Sequence, residues 1–340
     1  MKRLVASLAC LVLLGAATGC TRPDERPVEV TPNPAPSPTE QGSPSGSVAP
    51  SSTVSLPSLF DKEYDGGRLR LGKEVEHTAT QRQYDITYRG DGLTISGRIA
   101  VPEGPGPFPA VVLAHGFIDP GDYTTGQGMT REREWFADHG YVALHVDYRG
   151  YGSSDGRGIP GADLGIGYAT DVINAVLALR AWDGPVDDDR VALVGRSLGG
   201  GVVLDALVAD PGLTDAAVVW APVSSDLGDL YRHFLAGDPG RADLRDGIDL
   251  LYGSPRDNPD FWRGISPRTY FDRVTEPVLI NHGTADETCP LRWSRETARL
   301  LHEAGDRATL AVYPGEGHSF GARFDSSMER SERFLADQLR

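Results

Sequence analysis

Gly195-Arg196-Ser197-Leu198-Gly199 stands between an apolar run, Val191 to Val194, and a stretch of small residues compatible with a helix, Gly200 to Ala209. A serine with a glycine two residues away on either side, at a strand-to-helix junction, specifies a very tight turn. The serine there takes strained dihedrals, and the flanking positions must be nearly free of side chain. The strain lifts the hydroxyl above the end of a sheet, where a base can reach it. Glycine is abundant, 41 of 340 residues, so the five-residue pattern has little force by itself. Its setting gives it force: a strand before, a helix after, and an Asp and a His further along the chain at the ends of other strands.

The rest of the chain repeats that alternation. Short apolar runs at Ala110 to Ala114, Val142 to Val146, Val191 to Val194, Ala216 to Trp220, Val278 to Ile280 and Ala308 to Val312 read as buried parallel strands. Helix-length segments lie between them: Gly128 to His139, Ala169 to Trp182, Gly199 to Ala209, Leu291 to Ala304 and Ser326 to Leu339. Ahead of these, Tyr84 to Arg89 and Leu93 to Val101 alternate around Gly90-Asp91-Gly92 and predict a β-hairpin. The pattern predicts an α/β fold: a mostly parallel sheet with an N-terminal antiparallel hairpin and helices on both faces. Residues 222–275 interrupt the rhythm with mixed charge and with Tyr231, Phe234, Leu235, Phe261 and Trp262. That is too long for an ordinary loop and predicts a small helical cap over the carboxyl ends of the strands.

The N-terminus has a different character. Lys2 and Arg3 precede an apolar stretch from Leu4 to Ala17, and Ala17-Thr18-Gly19-Cys20 follows, so residues 1–19 read as a signal peptide. Cys20 after small residues resembles a lipoprotein processing site, which predicts a lipid anchor on Cys20 and an exported enzyme held at the membrane, or otherwise secreted. Residues 20–57 are dominated by Pro, Ser, Thr and Gly and predict a disordered tether, with a catalytic domain over 58–340. Of the three cysteines, Cys10 leaves with the signal and Cys20 carries lipid, so Cys289 is left to pack beside Pro290. The formal net charge of −15 argues against nucleic acid as a partner and against docking on anionic lipid heads.

A serine hydroxyl attacks well only when a base takes its proton. His318, in Gly315-Glu316-Gly317-His318-Ser319, follows the last strand and is the expected base. Asp286, in His282-Gly283-Thr284-Ala285-Asp286-Glu287, follows the strand at Val278 to Ile280 and is placed to orient it, with Glu287 and Asp226 as alternative acids. Attack puts negative charge on the former carbonyl oxygen, which calls for two N–H donors. The Leu198 amide, at a helix N-terminus, is one, and the Phe117 amide in His115-Gly116-Phe117 is the other, with His115 holding the loop. Gly150-Tyr151-Gly152 reads as a turn and Asp187-Asp188-Asp189 as a solvated turn; neither has dinucleotide or calcium-loop spacing. No Cys/His cluster suggests zinc, so no metal and no cofactor are expected.

These segments, together with Pro109 to Phe117, Asp147 to Ser154 and Arg190 to Gly200, resemble the α/β-hydrolase superfamily. Within it they are similar to the prolyl oligopeptidase catalytic domain and to dienelactone hydrolase and feruloyl-type esterase relatives. The resemblance implies an α/β-hydrolase fold, Ser197 as nucleophile, His318 as base, Asp286 as acid and an oxyanion hole from Phe117 and Leu198. Two features depart from oligopeptidases. The oxyanion loop reads His-Gly-Phe where peptidases commonly have His-Gly-Gly, and too few residues lie between tether and hairpin for a gating β-propeller. The expected activity is therefore hydrolysis of a small-molecule carboxylic ester through an acyl-enzyme. The alternatives are cleavage of short peptides and a non-catalytic surface lipoprotein that uses the fold to bind.

Overall fold

The computed structural model describes residues 54–156 and 164–340. The signal segment, Cys10, Cys20 and the tether up to residue 53 lie outside the described residues. The tether's expected end does not. Leu56–Leu59 forms a 3-10 turn with Leu56 and Leu59 buried, so the folded domain already includes Leu56 and the boundary at 57 is too late. Two leucines inside a Ser/Pro-rich stretch are enough to pin it, because they reach the main core.

The chain then runs through β1 (Arg70–His77), β2 (Gln81–Gly90), β3 (Leu93–Pro102), β4 (Phe108–Ala114), α1 (Thr130–Asp138), β5 (Val142–Val146), α2 (Ile166–Arg180), β6 (Val186–Arg196), α3 (Leu198–Ala209) and β7 (Ala216–Trp220). Next come α4 (Leu227–Phe234), α5 (Ala242–Tyr252), α6 (Pro259–Gly264), β8 (Val278–Gly283), α7 (Leu291–Ala304), β9 (Ala308–Tyr313) and α8 (Phe324–Gln338). The sheet order is β1-β2-β3-β5-β4-β6-β7-β8-β9. β1 to β3 and the β3–β5 pair are antiparallel, and every pairing from β5 to β9 is parallel. The β2–β3 hairpin closes through Asp91 at φ 56° and Gly92 at φ 76°, the left-handed pair that a two-residue turn between right-twisted strands requires.

Alternation along the strands builds two apolar layers. Ala110, Val112, Val191 and Leu193 face the layer closed by α2, α3 and α7, while Val111, Leu113, Ala192 and Val194 face the layer closed by α1 and α8. The segment after β7 is a helical cap: α4, α5 and α6, with 3-10 turns at Pro239–Arg241 and Pro267–Arg273. It sends Tyr231, Leu235, Ile248 and Trp262 into the first layer. Asp187, Asp188 and Asp189 are in the extended opening of β6, not in a turn as expected. β1, which the sequence reading did not anticipate, is exposed along its whole length and carries two register shifts against β2.

Candidate active site

β6 ends at Arg196 and α3 begins at Leu198, so Ser197 alone makes the turn, at φ 59° and ψ −121°. An L-residue at that φ is strained, and the closeness of the surrounding backbone explains the glycines. A Cβ on Gly199 would overlap the Ala114 carbonyl, and one on Gly195 would overlap the Gly199 carbonyl. The Ser197 amide donates to Trp220 O (3.0 Å) and its carbonyl accepts from the Val223 amide (3.1 Å), which fixes the turn against the first residues after β7.

His318 lies in the loop between β9 and α8. Its Nδ1 is 2.9 Å from Asp286 Oδ2, so this nitrogen carries the proton toward the carboxylate and leaves Nε2 free for the other side. Asp286 sits between β8 and α7 with its side chain fully buried. Its Oδ1 accepts from the amides of Thr288 (2.9 Å) and Cys289 (2.8 Å). Burial works to raise the Asp286 carboxyl. Hydrogen bonds from His282 and His318, the charge of His318 and the Cys289 amide outweigh it and hold the carboxyl well below the usual carboxylate range. The two alternative acids are elsewhere. Asp226 caps α4 through the Gly228 amide and pairs with Arg268 at 2.8 Å, and Glu287 points to solvent.

Among the described residues no hydrogen bond joins Ser197 Oγ to His318; catalytic hydrogen bonds are often long in unliganded sites and tighten with substrate. The serine side chain lies instead against the Cys289 thiol. Burial pushes that thiol up, the Asp286 charge adds to the rise, and the contact with Ser197 offsets part of it. Cys289, expected only to pack, thus backs the nucleophile, in an apolar cluster with Val223 and Trp293. Nothing in its sequence spacing signals this contact, which depends on how the start of α7 meets the turn.

The loop carrying Phe117 reaches the serine from the end of β4. A Cβ on Gly116 would stand 3.2 Å from Ser197 Cβ, so the backbone runs directly past the hydroxyl, as an oxyanion loop must. Buried His115 braces it, with Nδ1 2.6 Å from Gly116 O and Nε2 3.4 Å from Asp147 O. Burial lowers the His115 imidazole and keeps it neutral. Asp147, also buried, holds the far part of the same loop through the Tyr123 hydroxyl (2.7 Å) and the Gly126 amide (2.8 Å). Arg196, the variable residue of the turn, donates to Gly128 O and pairs with Glu132 of α1 at 3.0 Å. Arg196 therefore ties the nucleophile turn to the oxyanion loop, which His115 and Asp147 brace from within.

A mostly parallel sheet with a strained serine at the end of a central strand, and with an Asp and a His on later loops, defines an α/β-hydrolase, and the chain is a serine hydrolase. Residues 128–340 match the model of the prolyl oligopeptidase family, and the chain belongs to that family. It is 29% identical over 222 residues to dipeptidyl aminopeptidase BIII of Pseudoxanthomonas mexicana, a match covering 63% of this chain and 30% of that protein. It is 27% identical over 228 residues to the uncharacterized peptidase YtmA of Bacillus subtilis, covering 65% of this chain and 81% of that one. Among solved structures it is similar to the acetyl xylan esterase from Paenibacillus sp. R4, with a TM-score of 0.64 at 23% identity over 84% of this chain and 92% of the other.

Proposed function

We propose that the protein hydrolyses small carboxylic esters by two-step acyl transfer, with Ser197 as nucleophile, His318 as base and Asp286 as the acid that orients it. The observation that carries this is the 2.9 Å contact of His318 Nδ1 with a buried Asp286 carboxylate, whose neighbour Cys289 touches the strained serine. His318 Nε2 takes the serine proton as the hydroxyl attacks, then returns it to the leaving alcohol. Water next attacks the acyl-enzyme by the same route, with His318 as base again. The amides of Leu198 and Phe117 receive the developing oxyanion. The Cys289 thiol, in a buried cluster with Val223 and Trp293, lies beside the serine.

Support for ester over peptide comes from the oxyanion loop, which reads His115-Gly116-Phe117 where peptidases commonly have His-Gly-Gly. The second reading, cleavage of short peptides, is supported by the peptidases among its relatives. Initial rates on short-chain p-nitrophenyl esters and on aminoacyl and dipeptidyl anilides decide between them. Faster ester turnover that vanishes in Ser197→Ala supports the first reading, and faster anilide turnover replaces it with the second.

The segment from Lys2 to Cys20 supports export and lipid attachment at Cys20. Among the described residues no helix is long and apolar enough to cross a membrane. Metabolic labelling with a fatty acid that is lost in Cys20→Ser tests the anchor.

A further inference from the structure

Asp286 Oδ2 is shared by two histidines. His318 approaches it from the β9–α8 loop at 2.9 Å, and His282, at the end of β8, approaches it with Nε2 at 3.3 Å. His282 is fully buried, as is the Ser294 side chain of α7 beside it. The proton positions on His282 follow from its partners. Nε2 faces two oxygens that can only accept, Cys289 O at 2.9 Å and Asp286 Oδ2, so it carries hydrogen. Nδ1 faces Ser294 Oγ at 2.7 Å and accepts the serine hydroxyl proton. The direction of every contact is then set: Ser294 O–H to His282 Nδ1, His282 Nε2–H to Cys289 O with Asp286 Oδ2 as its second, longer contact, and His318 Nδ1–H to that same carboxylate oxygen.

We propose that His282 is a positioning residue of the catalytic acid, which holds Asp286 Oδ2 in place and limits how strongly that oxygen binds the His318 N–H. The inference rests on the assignment of His318 as base and Asp286 as acid. A carboxylate oxygen that accepts two N–H bonds gives less of its charge to each than one that accepts a single bond. His282 thus tempers the base while fixing the rotamer of the acid, the division of work seen where an outer partner orients a catalytic ligand.

Few other groups face this oxygen. From the start of α7 come the Cys289 thiol, which burial keeps protonated, and Ser294. In the His318 loop the carboxylate of Glu316 is taken up by the amides of Gly321 and Arg323. From the turn before α3 comes Ser197. On Oδ1 the same carboxylate is held by the Thr288 and Cys289 amides, so His282 is the side chain that shares Oδ2 with His318.

The test is an NMR titration of the His318 imidazole in the full chain, without substrate, with its signal assigned by its loss in His318→Gln. In His282→Leu, which removes the donor, the midpoint is expected to rise by about half a unit to one unit, because Asp286 Oδ2 is left to His318 alone. His282→Gln restores an N–H donor and returns the midpoint toward the wild-type value. Ser294→Ala keeps His282 but removes the hydroxyl that polarises it, and moves the midpoint the same way by less. The acid limb of kcat/KM follows these shifts. An unchanged midpoint in a folded His282→Leu protein reduces His282 to a packing residue and overturns the proposal. Should that variant fail to fold, an unchanged midpoint in Ser294→Ala has the same force. Absence of any Ser197-dependent turnover in the wild type contradicts the ester and peptide readings and leaves the titration to decide this one.

Discussion

Ser197 is held at φ 59° and ψ −121° by backbone on all sides, and the residues that allow it are specific. Gly199→Ala drives a methyl group into the Ala114 carbonyl, so strand β4 and the turn must part. A loss of about 3 kcal/mol or more, or no soluble protein, is expected in thermal unfolding, with turnover lost in parallel. Ser197→Ala removes the nucleophile without touching that packing; turnover falls by at least about 10⁴-fold while Tm stays within a few degrees. Asp306 offers a pH test remote from the site. Burial, helped by the charge of Glu276, raises its carboxyl to about 6, and its Oδ2 is buried without a hydrogen-bond partner among the described residues. A carboxyl raised in the folded state opposes folding when ionised, so the penalty is absent below about pH 4 and complete above about pH 6. Asp306→Asn should therefore raise Tm by a few degrees at pH 7.5 and leave it unchanged at pH 4.

At the scale of elements, the strands that position the site were legible because each is a short apolar run followed by its functional loop. Val191 to Val194 leads to Ser197, Val278 to Ile280 to Asp286, and Ala308 to Val312 to the His318 loop. Position in the fold follows from that order alone, since parallel connections are right-handed. β1 carries no such signal. It is exposed at every residue and owes its existence to backbone pairing with β2, which composition does not reveal. The 3-10 turn at Leu56–Leu59 escapes for the opposite reason, as its two apolar residues are hidden in a Pro- and Ser-rich context. That turn touches α3 in the same core, so Leu56→Ala should cost roughly 2–4 kcal/mol and lower Tm by about 5–10 °C. An unchanged Tm would return residue 56 to the tether. His282 and Cys289 lie between these cases. Both stand in plain view beside Asp286, but their contacts arise only when the start of α7 folds back on the carboxyl ends of β6 and β8.

For the molecule as a whole, the parts that perform acyl transfer are carried by separate elements tied together by buried polar groups. Arg196 couples the nucleophile turn to the oxyanion loop, His115 braces that loop, and Asp286 couples the His318 loop to the segment leading into α7. In the proposed mechanism this assembly activates Ser197 through His318. Fluorophosphonate labelling followed by peptide mass spectrometry tests it most directly, on the wild type, Ser197→Ala and His318→Gln. One labelled peptide containing Ser197 is expected in the wild type, none in Ser197→Ala, and labelling slowed by about 10³-fold or more in His318→Gln. Label on another residue, or equal rates with and without the His318 imidazole, would contradict it.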